Sequence, residues 1–317
     1  MLGSGIFVLP GIAAAKTGES IWIAYLCAAI CIIPAVLSKS ELATAMPKSG
    51  GAYVYIERAF GPLLGTISGL GLWLSLLLKS SFALVGFGAY LMIIINLEDI
   101  PIKYISISFL IIIMMLNILG IKKVGKVQLV IVSISIIGLI SLLILGLPIS
   151  NNNVENPFLI YGNSGLISTI AFVYISYAGV TKVAAIAGEV KNPSKTLPMA
   201  MILSLIIIST IYILITYTLV NHISIYDLRS DYKPIYTLSH ILGGEWFAYI
   251  IAIIGVLTLV SMANSGVLAS SRFPFAMATD KLLPVTFTNL HKKYLTPINT
   301  ILLTCIIMAL VIYFLDV

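Results

Sequence analysis

Long apolar stretches alternate with short polar ones along the whole chain. They fall near residues 3–15, 21–38, 63–95, 104–120, 127–148, 164–187, 199–220, 246–271 and 298–315, nine in all. Most approach the ~20 apolar residues that a helix needs to cross a bilayer's hydrocarbon core. The first is shorter and reads as half a helix. The third is too long for an upright span and implies tilt or an interfacial stretch. Within it, Gly65 and Gly69 form a GxxxG pair and Gly86-Phe87-Gly88 keeps one side small, which suits close helix packing. No soluble domain or low-complexity tail interrupts the pattern, so residues 1–317 read as one all-α, polytopic transmembrane domain.

Two of these segments are broken by glycine. The first opens Gly3-Ser4-Gly5-Ile6-Phe7-Val8-Leu9-Pro10-Gly11, and the sixth contains Tyr177-Ala178-Gly179-Val180-Thr181. Unwound backbone in hydrocarbon is tolerated only where it lines a cavity or is buried in protein. A pair of interrupted segments is a pointer to a transporter's substrate site. The N-terminal end of a helix offers free N–H groups and partial positive charge, which suits a carboxylate. In Gly3-Ser4-Gly5 no bulky side chain keeps a ligand from the backbone. Exposed carbonyls around Ala178-Gly179-Val180 suit an ammonium group. Together these are the two ends of an α-amino acid. The alternative is that the glycines serve packing alone.

Composition agrees with membrane residence: 60% of residues are hydrophobic, 9% are charged and the mean hydropathy is +1.09. The net charge of +6 does not point to nucleic acid, because the basic residues sit in short loops. With the N-terminal side cytoplasmic, Lys39, Lys48, Arg58, Lys122, Lys123, Lys126, Lys191, Lys195, Arg272, Lys281, Lys292 and Lys293 lie inside. Lys16, Lys103, Arg229 and Lys233 then lie outside, a clear positive-inside bias. No basic n-region precedes the first segment, so a cleaved signal peptide is not expected. Cys27, Cys31 and Cys305 lie in apolar runs without metal-ligand partners, and buried packing is expected of them. No zinc spacing, Walker loop or nucleophile-and-base cluster is present, so neither an enzyme nor an ATP-driven pump is supported. No metal or cofactor is expected.

Lys79 and Lys182 fall inside spans. A lysine at mid-membrane costs about 2.5–3.5 kcal/mol on insertion scales, so each needs a cavity, a partner or neutralisation. A coupling or gating role is one reading, since a buried lysine can exchange protons. Snorkelling or bonding to helix carbonyls is the other. Ser135, Ser261, Asn264 and Ser265 could line a small-cation or proton-relay site, or simply bond back to helix carbonyls. Glu41, Arg58, Glu189 and Arg272 sit at helix ends, either as an inner gate or as solvated charges. Trp22, Trp73 and Trp246 suit interfacial anchoring, with Trp73 alternatively near the substrate path.

Four stretches resemble the amino acid–polyamine–organocation permeases. Gly3-Ser4-Gly5-Ile6-Phe7 is similar to their first-helix motif. Glu41 to Gly61, containing Pro47-Lys48-Ser49-Gly50-Gly51-Ala52-Tyr53, is similar to the loop after helix two. Tyr177 to Pro198, with Gly188-Glu189-Val190-Lys191-Asn192-Pro193, resembles the sixth helix and following loop. Asn264 through Arg272 to Asp280-Lys281-Leu282-Leu283-Pro284 resembles the end of helix eight. The resemblance implies a five-plus-five inverted repeat, leucine-transporter-like, with broken helices one and six. It further implies an amino-acid substrate held between helices one, three, six, eight and ten, a multi-pass place in the cytoplasmic membrane, and a proton or sodium ion for coupling.

The family's core needs ten helices, and this chain is expected to lack the first half of helix one and everything after helix nine. Met1-Leu2 fits the motif's interior pattern, so Met1 is expected to be an internal methionine of a fragment or a mis-set start. Some relatives place a functional lysine on helix five where Ser135 aligns, and arginine exchangers place a glutamate near Thr181. Gly266 aligns where some relatives carry a bulky aromatic, which implies room for a medium or large neutral side chain. The expected substrate-binding set is Gly3, Ser4, Gly5, Ile6, Tyr177, Ala178, Gly179, Val180, Thr181 and Gly266. The expected coupling or gating set is Lys79, Lys182, Ser135, Ser261 and Asn264. The expected function is proton-coupled symport of a neutral amino acid, with exchange, or a non-transporting remnant or sensor, as alternatives.

Overall fold

The computed structural model describes residues 2–46, 51–95, 100–120, 124–148, 157–190 and 192–314. Met1, Pro47 to Gly50 with Lys48, Lys122, Lys123 and Lys191 lie outside the described residues, as do the side chains of Lys126 and Glu189. All nine apolar segments coincide with helices. The first becomes α1 (Ser4–Phe7) and α2 (Leu9–Thr17), and the second α3 (Ile21–Ala45). A short amphipathic helix, α4 (Ala52–Phe60), precedes α5 (Pro62–Ile95), α6 (Ile102–Ile118), α7 (Val124–Gly146) and α8 (Gly162–Tyr177). A 3₁₀ segment, Val180–Glu189, leads to α9 (Pro193–His222), the single turn α10 (Ile225–Leu228), α11 (Pro234–Thr279) and α12 (Ile298–Phe314). The described residues contain no strand.

Among the described residues, six helical runs are long and apolar enough to cross a membrane, with Leu9–Ala45 taken as one run. α6 and α12 have 17 residues each, about 26 Å at 1.5 Å per residue. That is only a few ångströms short of the ~30 Å hydrocarbon core. α5 runs 34 residues without a break, about 51 Å, so it must tilt or project. α11 is two helices joined at Gly244, whose φ of 74° and ψ of −172° are not helical. Only the part after this bend matches the apolar run from residue 246.

Pro10 explains the first break. It has no N–H to reach the Ile6 carbonyl, and Val8 leaves helical geometry at φ −127°, ψ −48°. The outer faces are apolar too: Ile30, Ile67, Ile137 and Ile144 are between 56% and 67% exposed. In water such a surface would be a liability; in lipid it is the solvent-matched face. Inside, α5 pairs with α11, and α3 packs on α8 and α9. α1 is wrapped by α8, α11 and α5, and all four of its residues are buried. Cys305 is buried as expected, but Cys31 is exposed on the apolar outer face of α3. Its neighbour Cys27 is half-buried.

Candidate functional site

The two breaks meet. A Cβ built on Gly5 would stand 2.9 Å from Ser176 Cβ and 3.0 Å from the Tyr212 hydroxyl, so the close approach of α1 to the last turn of α8 requires glycine there. Gly3 adopts φ +151°, and its missing Cβ is the space taken by Met262 Sδ. Ser4 donates its backbone N–H to that sulfur at 3.3 Å, and Ser4 Oγ lies 3.7 Å from it. The Gly3-Ser4-Gly5 end of the first helix is therefore faced by a thioether, a weak acceptor. Ile6 is fully buried and lies in the apolar core rather than on a cavity wall.

Three tyrosines, which the sequence reading did not single out as caps, complete the first break. Tyr25 donates to the Gly5 carbonyl at 2.7 Å and Tyr90 to the Phe7 carbonyl at 2.8 Å. Tyr177 in turn donates to the Tyr25 carbonyl at 3.1 Å. The rings of Tyr25, Tyr177 and Tyr212 pack with centroids 5.5 to 6.4 Å apart. The available signal was tyrosine within otherwise apolar helices, since a buried phenol needs a partner.

At the second break α8 ends at Tyr177 and the backbone continues as a 3₁₀ helix. The carbonyls expected to be free are partly used. Ala178 accepts from Thr181 Oγ1 at 3.1 Å, and Gly179 from the Lys182 N–H at 3.3 Å. Val180 is buried and lines the larger cavity with Gly179. The carbonyls that hold a cation lie one turn earlier. Lys79, 5% exposed, donates to Ile175 O at 2.5 Å and Ser176 O at 3.2 Å. An ammonium at a helix C-terminus sits at the negative end of its dipole.

A cavity of about 290 Å³ opens beside this junction, lined by Leu2, Lys79, Gln128, Gly179, Lys182, Ser204, Thr258, Ser261, Met262 and Ser265 among others. A smaller one, about 90 Å³, is lined by Lys39, Ser75, Ala178, Thr181, Lys182 and Phe273 among others. Lys39 reaches Thr181 Oγ1 at 3.3 Å.

The expected coupling set divides. Ser135 and Thr258 share a hydrogen bond of 2.5 Å, and each hydroxyl also reaches the carbonyl four residues back. Ser261 lines the larger cavity. Asn264 turns to α6 instead, where its Oδ1 accepts from Asn117 Nδ2 at 2.7 Å. Gly266 does not leave room for a substrate side chain: an added Cβ would lie 1.7 Å from Ser80 Oγ, so α5 fills that space. Trp73 donates to Thr304 at 3.1 Å in the α5–α12 contact. Among the helix-end charges, Glu41 is exposed, while Arg58 reaches Met46 Sδ at 3.5 Å. The better-knit contact there is Tyr53 to Asp280, 2.8 Å. Burial, then the Asp280 carboxylate, holds the Tyr53 hydroxyl well above its usual range, so it remains a donor.

The profile of the family described as amino acid permease matches residues 1–316. The branched-chain amino acid permease BcaP of Bacillus subtilis is 27% identical over 94% of this chain and 68% of its own length. The serine/threonine exchanger SteT of the same organism is 28% identical over 94% of this chain and 69% of its own. Cationic amino acid transporter 7, chloroplastic, of Arabidopsis thaliana is 27% identical over the whole chain, which spans 58% of that relative. Several such plant relatives are matched over little more than half their length. With its helical runs of membrane-spanning length, the chain is a multi-pass membrane protein and belongs to the amino acid permease family.

Proposed function

We propose that the protein is a secondary transporter of the cytoplasmic membrane, built on the five-plus-five inverted repeat, that carries an amino acid by alternating access. The observation that supports this best is the meeting of two interrupted helices, Gly5 of α1 against Ser176 of α8, beside a cavity. A substrate carboxylate approaching Gly3-Ser4-Gly5 would replace the Met262 thioether on the Ser4 N–H with a charged acceptor, a stronger bond. The α-ammonium would compete with Lys79 for the carbonyls of Ile175 and Ser176, at the negative end of α8. Lys79 and Lys182 then act as coupling or gating groups, and Ser261 and the Ser135–Thr258 pair give a hydroxyl route for a proton.

Proton-coupled symport of an amino acid without a cationic side chain is the form proposed. No Asp or Glu among the described residues lines either cavity, so nothing there would balance a cationic side chain. Exchange is the second reading, since one relative is named an exchanger. The test is uptake of labelled amino acids by the protein in liposomes. Under an imposed proton gradient, accumulation is expected without preloading. Uptake only from preloaded liposomes selects exchange. If no amino acid is bound or moved under either condition, transport is refuted and a non-transporting role stands.

A further inference from the structure

We infer that the junction takes a substrate with a second carboxylate, an acidic amino acid of the aspartate or glutamate class, held by Lys182 with Lys39. This rests on the amino-acid transport reading and narrows its substrate. Three ammonium groups surround the second break. Lys79 and Lys182 line the larger cavity, and Lys39 and Lys182 line the smaller one, so Lys182 joins the two. Lys79 is spent on the carbonyls of Ile175 and Ser176, while Lys39 meets the neutral Thr181 hydroxyl, which leaves its charge unbalanced. Lys182 Nζ has no hydrogen-bond or ion-pair partner among the described residues. It stands 3.7 Å from where a Cβ on Gly266 would lie, over the α5–α11 contact, and lines the same cavity as Lys79.

Like charges gathered in a low-dielectric interior oppose one another unless an anion sits among them. The described protein supplies none: the polar groups that line the two cavities are hydroxyls, amide and ammonium groups. The smaller cavity, about 90 Å³, suits a compact group such as a carboxylate. Through Lys182 it adjoins the 290 Å³ cavity where the rest of an amino acid would lie. A carboxylate side chain would thus meet Lys182 from the substrate side, with Lys39 and the Thr181 hydroxyl beyond it.

Glutamate and glutamine separate the possibilities, because they share shape and differ in charge. Equilibrium binding of each labelled amino acid to the purified protein, in chloride and in gluconate media, is the experiment. Glutamate is expected to bind about tenfold or more tighter than glutamine in both media, the scale of a charge-assisted hydrogen bond. Lys182→Met is expected to bring that ratio close to one, and Lys182→Arg to keep most of it. Lys39→Met is expected to lower the ratio by a smaller factor, and it decides the matter if Lys182→Met binds neither ligand. Equal or tighter glutamine binding by the unmodified protein overturns the inference while leaving amino-acid transport standing. Glutamine binding that rises with chloride means that the lysines hold a free anion, which also overturns it. A glutamate preference that survives both methionine variants does the same. If no amino acid binds at all, the transport reading falls first.

Discussion

Replacing Tyr90 with phenylalanine deletes one oxygen and little else. The ring is fully buried and lies edge-on to Phe7, with centroids 5.8 Å apart at 87°, a contact that phenylalanine preserves. What is lost is the 2.8 Å bond to the Phe7 carbonyl. That carbonyl stands at the Val8 interruption between α1 and α2. A buried polar group left unsatisfied costs about 1–3 kcal/mol. Interhelical hydrogen bonds in membrane proteins average ~0.6 kcal/mol, with ~1.7 as the largest, because the unfolded chain in lipid also finds partners. Phe7 and Tyr90 are both fully buried in the apolar core, so the upper part of that range applies. We expect Tyr90→Phe to destabilise by about 1–2 kcal/mol, a factor of roughly 5–30 in the folding equilibrium. Detergent–SDS unfolding titrations would measure it, with Tyr226→Phe as the control, since Tyr226 is 76% exposed. Coincident curves for the two variants would refute the argument that tyrosine hydroxyls hold the first break together.

Two further outcomes follow from the same geometry. Gly266→Ala drives a methyl group to 1.7 Å from Ser80 Oγ, and overpacking of this kind costs about 1–3 kcal/mol. Adding Ser80→Gly should recover most of the loss in the same titration, and no recovery would show that the α5–α11 contact is not the cause. Lys79→Met gives up two charge-assisted bonds worth about 1.5–3 kcal/mol each but removes an ammonium whose insertion costs about 2.5–3.5 kcal/mol. The second term offsets only part of the first, roughly 3–6 kcal/mol for the pair of bonds, so a net loss of about 1–2 kcal/mol is expected. Amide hydrogen exchange at residues 178–182 should also rise by about tenfold or more, as the uncapped end of α8 frays. Unchanged exchange there would mean that Lys79 does not hold the break.

The helices were legible because membrane insertion is decided span by span. Apolar length alone located α3, α5 to α9 and α12. Pro10 and the flanking glycines marked the first interruption, and Gly179 the second. What the chain could not disclose were partners supplied from elsewhere in the bundle. Nothing local to Tyr25 or Tyr90 says which carbonyl each hydroxyl will meet. Asn264 lies on the same helix as Ser261, yet helical rotation turns it to Asn117 of α6. Gly266 looked like vacant space because a glycine's missing side chain is visible in sequence, while the Ser80 hydroxyl that fills the gap is not. Lys79 was readable as a problem needing a solution. Its distance in sequence from Ile175 hid which of the two solutions, carbonyl capping or a charged role, the fold uses.

The 3₁₀ segment Val180–Glu189 also holds a reserve of length. Its ten residues rise about 2.0 Å each in that geometry, against 1.5 Å in an α-helix. The same stretch is thus about 5 Å longer than it would be if wound as α, close to one helical pitch. Each i→i+3 bond given up on rewinding is exchanged for an i→i+4 bond, so the backbone ends with nearly as many hydrogen bonds as it began. Length and bonding are therefore decoupled over this stretch: the distance between the end of α8 and the start of α9 can change by the rise of a full turn without either helix having to unwind.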